Sequence, residues 1–418
     1  MRLAKQLDEW PQGPASTEIR MPTLTQETLI SQTAALVAEH LERITARFYP
    51  LLFARHPEVV AMFNPAHQRS GAQPRALARM VLEYVIARQD PRCADAVIAP
   101  AVHKHVSLSV RPEHYPLVGD CLLDAVGEVL GEVLGEPLDA EVAAAWRALY
   151  DELAERMIGA ERRQYQALAA SSGGWQGLRP FQLVARVDEA DGIASFHLAP
   201  RDGGAILAGE PGQYLGVVAE IDGQRHPRQY SLTSDRDAAH YRISVRRHPQ
   251  GVVSRYLHDR LEIGDTLLLS PPTGLLTLDQ GDGPVVLISA GIGQTPMLGL
   301  AKRALAFGRR VVYLHGARDP QHHAFADETA ALAGLWPERF TPVTRYSRGG
   351  DPALRGRIDG ALLDCYLPPR EALPSCYFVG PAGFMAEIER LLAERGVAED
   401  RRRHEWFGAS QGMAASPG

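Results

Sequence analysis

Several stretches of the chain carry residues suited to holding phosphate. The strand-like VVLISA runs into Gly291-Ile292-Gly293-Gln294-Thr295-Pro296 and then an apolar helix. A glycine-rich turn between a parallel strand and a helix N-terminus offers bare amides and a positive dipole end to a pyrophosphate. Glycine at 291 and 293 removes the Cβ atoms that would block close approach. Pro296 suits a first helical turn, where no N–H bond is lost. Cys376-Tyr377-Phe378-Val379 ends in a second small-residue loop, Gly380-Pro381-Ala382-Gly383-Phe384-Met385. Ligands of open α/β sheets bind at that edge. Either loop alone is equally well a structural turn; the pair points to a nucleotide. Upstream, Arg228-Gln229-Tyr230-Ser231 sets a cation, a ring and a hydroxyl on one strand. That is either a barrel strand with exposed polar residues or a flavin site. In the second case Arg228 takes a diphosphate, Tyr230 packs along the isoalloxazine or ribityl chain, and Ser231 bonds the ring edge. Gly251-Val252-Val253-Ser254 then opens a helix, again with amides for phosphate oxygens.

A second chemistry lies nearer the N-terminus, where VIAPAVHKHVSLS (97–109) holds two histidines. On a helix His105 shares a face with Ile98, Ala101, Val102 and Leu108, with His103 about 200° away. A histidine on an apolar face is a satisfied core residue or a ligand. Glu161 falls on the stripe carrying Tyr150, Leu153 and Met157, and a carboxylate on an apolar face needs a partner. A ligating imidazole gives its second N–H to such a group, so Glu161 can serve His105, with Tyr115 completing the network. The alternative leaves Glu161 reaching solvent near its helix end.

These residues need three kinds of scaffold. From Pro22 to about Ala170 the periodicity is helical, with Thr23 and Gln26 at capping-box spacing and a last, longest helix starting near Asp139. Ser171-Ser172-Gly173-Gly174 reads as a linker. Beyond it the period becomes two: Phe181, Leu183, Ala185 and Val187 alternate, and strands are predicted at 193–198, 214–221, 229–233, 241–246 and 266–269. Asp191-Gly192 and Asp222-Gly223 mark turns, and short strands of this kind predict a small antiparallel barrel. After residues 281–284 the pattern changes to strand 285–289, a helix from Thr295, strand 311–315, a helix around 325–335 and strand 376–379, a βαβ series. The predicted divisions are an N-terminal extension (1–21) and domains at 22–170, 171–280 and 281–418.

Composition is ordinary: 418 residues, 45% hydrophobic, 22% charged, formal net charge −6. This excludes a disordered or fibrous chain and argues against a nucleic-acid binder. Four scattered cysteines, with no C-x-x-C pair, form neither a disulfide framework nor a zinc site. No signal peptide or run of eighteen apolar residues is present, so a cytoplasmic protein without a membrane span is expected.

The motifs Pro211-Gly212-Gln213-Tyr214, Arg228-Gln229-Tyr230-Ser231, the 291–296 turn, the 379–385 loop and Glu405-Trp406-Phe407-Gly408 occur in the order of a ferredoxin–NADP⁺ reductase-type module. Residues 171–408 resemble it. The resemblance implies that Tyr214, Arg228, Tyr230, Ser231 and Phe407 line FAD, while residues 291–296 and 380–385 serve a nicotinamide nucleotide. Gln250 stands where a glycine often precedes Gly251, and Trp406 where many members have cysteine. A helical domain fused to such a module needs an electron acceptor, and haem iron held by one histidine fits. Tyr49 on an early helix and Gln73, which shares a face with Leu77 at i, i+4 spacing, offer a phenol and an amide that can bond iron-bound dioxygen in an apolar pocket, or Tyr49 can be core packing.

Together Thr45-Ala46-Arg47-Phe48-Tyr49, Met62-Phe63-Asn64-Pro65, Gln68-Arg69-Ser70-Gly71, Lys104-His105-Val106-Ser107, Pro112-Glu113-His114-Tyr115 and Gly173-Gly174-Trp175 resemble the flavohaemoglobin family. The resemblance implies His105 as proximal haem ligand, Tyr115 and Glu161 as its activating network, and Tyr49, Gln73 and Leu77 in the distal pocket. Phe63 would pack on the haem, and Lys104 would lie between haem and flavin. The implied fold is an all-α globin domain, an antiparallel β-barrel FAD domain and an α/β parallel-sheet NAD(P)-binding domain. The implied activity is nitric oxide dioxygenation: NAD(P)H reduces FAD, FAD reduces haem b, and O₂ oxidises NO to nitrate. A plain NAD(P)H-dependent reductase and a gas-binding sensor or storage globin are the alternatives. Small molecules are the expected partners of a monomer. Arg318 is a 2′-phosphate ligand or a solvated arginine, which leaves NADH against NADPH open.

Overall fold

Thr23 Oγ1 accepts from the Gln26 amide (3.3 Å) and Gln26 Oε1 from the Thr23 amide (2.9 Å), so the expected capping box opens the helical region. The computed structural model describes residues 21–63 and 72–407, the side chains of 72–75 and 78 excepted. The expected extension, the 64–71 motif segment and Gly408 lie outside the described residues. Six helices come after the cap: α1 (Leu24–Glu39), α2 (Leu41–Arg55), α3 (Ala72–Ala87), α4 (Pro91–Ser107), α5 (His114–Leu134) and α6 (Ala140–Ala170). Asp90 and Asp139 cap α4 and α6 through their side chains, and left-handed Gly135 ends α5. Ile30, Ile44, Phe48, Leu52, Ile98 and Leu130 are fully buried between them, each contributing about 1.5–3 kcal/mol by removal from water.

A cluster of charged groups is shut inside this core. Arg88 pairs with Glu152 of α6 and with Glu27 of α1, while the Tyr84 hydroxyl donates to Glu152 at 2.6 Å. Three helices thereby meet at the end of α3.

The rest of the chain builds two sheets. The first takes β1 (Arg179–Ala190), β2 (Ile193–Pro200), β3 (Tyr214–Ile221), β4 (Gln224–Ser231), β5 (Tyr241–Arg246) and β6 (Thr266–Leu269), with α7 (Val252–Asp259) between the last two. Their order is β4-β3-β6-β1-β2-β5. A single bridge, Leu232 to Ile243, joins the two end strands among the described residues. Two expectations need correction. The strand predicted at 229–233 begins at Gln224, because left-handed Asp222 and Gly223 reverse the chain at once. The alternation from Phe181 does not reach Val187: past the register shift between Leu183 and Ala185, Arg186, Val187 and Asp188 are all exposed, so neither face of the strand is covered there.

The second sheet, of β7 (Val285–Ala290), β8 (Val311–Ala317), β9 (Phe340–Tyr346), β10 (Ser375–Val379) and β11 (Arg402–His404), is parallel throughout in the order β11-β10-β7-β8-β9. Helices α8 (Thr295–Ala306) and α9 (Ala326–Leu335) cover one face through Met297, Leu300 and Leu332. Helices α10 (Gly360–Tyr366) and α11 (Ala382–Glu394) cover the other through Leu363, Met385 and Ile388. The chain divides into two compact units, the first running through Leu178 and the second taking most of the chain from Arg179 onward. No helix among the described residues is long and apolar enough to cross a membrane.

Candidate functional site

In the helical unit, α4 presents His105 to α5 and α6. The His105 Nδ1–H donates to Glu161 Oε1 at 2.7 Å, and the Tyr115 hydroxyl donates to the same oxygen while lying 3.1 Å from Nδ1. Glu161 is fully buried, so the solvent-facing alternative is excluded, whereas the His105 side chain keeps 33% exposure. Burial and the Glu161 charge push the Tyr115 phenol well above its ordinary range, so it stays a donor. With the carboxylate holding Nδ1–H, the lone pair of the ring sits on Nε2. That is the state an imidazole needs to bind a metal. His105 therefore fits a haem ligand on geometry, and among the described residues Glu161 Oε2 is buried with no hydrogen-bond partner. His103 is half-buried and burial lowers its pKa. Lys104 adjoins His105 on α4.

Tyr49 on α2 is buried in an aromatic cluster, with its ring 5.8 Å from Phe63 and 5.9 Å from Phe53. Leu77 on α3 lines an apolar cavity of about 40 Å³. Gln73 stands one turn before Leu77, its side chain outside the described residues. The sequence reading missed the Arg88–Glu152 pair; its only signal was a second carboxylate, Glu152, beside the apolar stripe of α6.

In the second unit, Tyr214 is buried at the head of β3, and its backbone pairs with Thr273. Arg228, Gln229 and Tyr230 are half-buried at the end of β4, with Ser231 buried. Burial lowers the Arg228 pKa against the pull of Tyr230, and raises that of Tyr230. A cation held at such cost suits an anionic ligand. Gly251 caps α7, and there a Cβ would meet Ser254 Oγ at 2.3 Å; that hydroxyl accepts from the His248 amide at 3.1 Å. Ser254 thus closes the loop, while Val252 and Val253 stand in the first turn, where N–H groups are free of helical bonds.

The 291–296 turn is a 3₁₀ turn, Gly291–Gln294, leading into α8 at Thr295 and Pro296. Gly291 needs glycine for its left-handed backbone (φ 56°). Gly293 needs it for a different reason from the one expected. A Cβ there would lie 2.2 Å from the Val379 carbonyl oxygen, so the missing atom lets the 291–296 turn pack against the end of β10. Gly380, Pro381, Gly383, Phe384 and Met385 lead directly from β10 into α11, with Met385 buried and Phe384 against Gly380. Ile292 is half-buried; Gln294 is buried, its Nε2 without a partner among the described residues. Trp406 packs its edge 5.9 Å from His404 beyond β11, and Phe407 is exposed. A buried polar chain also escaped notice: Ser289 Oγ bonds His315 Nδ1 (2.8 Å), and burial drives the His315 pKa down to about 3.

Three family patterns match the chain: globin over residues 46–157, an oxidoreductase FAD-binding domain over 180–277 and an oxidoreductase NAD-binding domain over 287–390. A flavohemoprotein of Pseudomonas putida is 43% identical across 93% of this chain and 98% of its own. One of Deinococcus radiodurans is 42% identical across 94% and 99%. A crystal structure of flavohemoglobin from Malassezia yamatoensis, with bound FAD and heme, superposes with a TM-score of 0.82 at 28% identity, covering 92% of this chain and 99% of that one. The FAD/NAD-binding domain of a nitric oxide dioxygenase from Vibrio cholerae matches 55% of this chain and 98% of its own, with a TM-score of 0.51 and 34% identity. The hydrogen-bonded imidazole of the helical unit, the two adjoining glycine loops of the parallel sheet and these likenesses agree: the chain belongs to the flavohemoproteins, oxidoreductases that carry haem, FAD and a nicotinamide nucleotide.

Proposed function

We propose that this flavohemoprotein is a nitric oxide dioxygenase, converting two NO and two O₂, with one NAD(P)H, to two nitrates, NAD(P)⁺ and a proton. The carrying observation is the His105–Glu161–Tyr115 network, in which the carboxylate holds the Nδ1 proton and so leaves Nε2 as the lone-pair donor that a haem iron would need. When bound, haem supplies the iron at which NO and O₂ combine, and FAD parts the paired electrons of the nicotinamide into single ones. The chain's own residues do the rest. His105 Nε2 would hold the iron, with Glu161 and Tyr115 fixing the tautomer. On this reading Tyr49, Gln73 and Leu77 would serve the distal pocket, Phe63 would pack on the haem and Lys104 would stand beside the ligand. Arg228 and the amides at 251–254 neutralise the FAD diphosphate, while Tyr214, Gln229, Tyr230, Ser231 and Phe407 hold its ring system. Residues 291–296 and 380–385, with Trp406 and Gly408, orient the nicotinamide nucleotide. The domain boundaries that go with this reading lie near residues 170 and 280, and the setting is the reducing cytoplasm, in keeping with four unpaired cysteines. The dioxygenase of Vibrio cholerae supports the assignment by likeness.

The test is NO consumption by intact protein loaded with haem and FAD, in air with NAD(P)H. Continuous NO loss with equimolar nitrate is expected, abolished in His105→Ala. Loss that stops after one equivalent of NO per haem points instead to a storage globin and refutes the assignment.

A further inference from the structure

Four oxygen-bearing side chains form an unbroken file through the antiparallel sheet: Glu189 of β1, Ser195 of β2, Ser244 of β5 and Thr233 just past β4. Ser195 and Ser244 are register partners with their hydroxyl oxygens 2.7 Å apart, and Thr233 Oγ1 lies 2.9 Å beyond Ser244 Oγ. At the other end Ser195 donates to Glu189 Oε1. The three hydroxyl residues are buried, and Glu189 is half-buried. The backbone is shaped for the bond to Glu189. Asp188 pairs with Ala194 and Ala190 with Ile193, so Glu189 has no partner in the ladder, and such a bulge re-aims the side chain it carries.

Stability does not call for this file, since apolar residues of the same shape serve a sheet core about as well as a bonded hydroxyl pair. What the file has, and an apolar core lacks, is direction. A carboxylate only accepts, and a hydroxyl has one hydrogen to give. Ser195 commits its hydrogen to Glu189 and so accepts from Ser244, which in turn accepts from Thr233. Thr233 Oγ1 has a second acceptor in the Arg242 carbonyl at 3.1 Å, but that oxygen already takes the Thr233 amide at 2.8 Å. The Arg242 Nε–H, on a guanidinium paired with Glu328, donates to Thr233 Oγ1 at 3.2 Å and draws charge from its O–H. The hydrogens thus point from Thr233 toward Glu189, the order in which a proton passes by one hop per bond. Ser231 stands two residues before Thr233 in extended chain, held by the Leu232–Ile243 bridge, and residues so spaced share a face.

Each nicotinamide gives up a hydride, whereas iron takes single electrons and no proton. One hydrogen nucleus is left over per nicotinamide, and balance requires it to reach water as a proton. We propose that the file is its exit: Thr233 takes up the proton beside the flavin site, Ser244 and Ser195 pass it on, and Glu189 releases it to solvent. Each hydroxyl oxygen gains one hydrogen as it gives up another, and rotation of the three O–H bonds resets the file. The inference rests on the reading that Ser231 meets the flavin ring, and it is independent of NO as the substrate.

The test takes the intact protein, loaded with haem and FAD and fully reduced with NADH without air, and mixes it with excess ferricyanide, which accepts electrons alone. Flavin absorbance then times a reoxidation that finishes only when the proton has left. Ser244→Ala and Glu189→Gln should each slow it by about 100-fold, the lower end for a positioned proton-transfer group. Each should also show a larger solvent deuterium isotope effect than the unaltered protein. Acetate in the medium should restore Glu189→Gln, whose missing carboxylate it replaces, and should not restore Ser244→Ala, whose gap is buried. A rate that survives either substitution, or a loss in Glu189→Gln that acetate leaves untouched, overturns the inference. Ser231→Ala tests the underlying reading separately: the flavin absorption band should shift, and an unmoved band takes Ser231 off the flavin whatever the relay variants show.

Discussion

A histidine becomes a strong donor to iron only when its other nitrogen is held by something more basic than water. On the proposed reading Glu161 would perform that task from a fully buried position, where the Tyr115 hydroxyl donates to it as well. Glu161→Gln keeps the shape and removes the charge. Haem should remain bound with a normal Soret band, while the iron–histidine stretching frequency falls and NO turnover drops by about 10- to 100-fold, the usual range for a residue that orients a metal ligand. An unchanged stretch with unchanged turnover would show that the carboxylate only fills space. This pair was legible in the sequence because a titratable group on an apolar helical stripe demands a partner, and two such stripes each carried one. The role of Gly293 was not. Its constraint comes from Val379, far along the chain, and a glycine in a loop looks the same whatever surrounds it.

At the scale of elements, α3 is pinned at its end by Arg88, between Glu27 of α1 and Glu152 of α6. Removing one partner of a buried pair leaves an uncompensated charge. Arg88→Met should destabilise the helical unit by about 3–5 kcal/mol, measured by urea unfolding followed at the Soret band. Adding Glu152→Leu should restore most of the loss. A double variant as weak as the single one would locate the cost in packing instead. Helices were the readable elements: caps at Thr23 and Asp139 and a 3.6-residue period survive any tertiary context. The unread strands have identifiable reasons. The first half of β4, Gln224 to Arg228, lies at a sheet edge and is polar on both faces, so no alternation marks it. Another edge strand, β9, contains Pro342, which argues against a strand in sequence and is harmless there. Three residues, as in β11, are too few for any period.

Across the whole molecule, three cofactor scaffolds coexist with a composition that betrays none of them. The redox chemistry belongs to bound groups, so neither clustered cysteine nor unusual charge is required. What the cysteines offer instead is practical. Cys121 and Cys376 are buried, and burial pushes the Cys376 thiol up to about 12, out of reach of ordinary alkylating reagents. Cys93 on α4 and Cys365 on α10 are exposed, one in each compact unit. The Asp90 charge raises the Cys93 pKa and so lowers its reactive thiolate fraction. A substoichiometric maleimide dye should therefore settle first on Cys365, as peptide mapping would reveal, leaving Cys93 for a second colour. The native sequence thus already holds an addressable donor–acceptor pair, through which any change in the separation of the two units during turnover can be watched one molecule at a time.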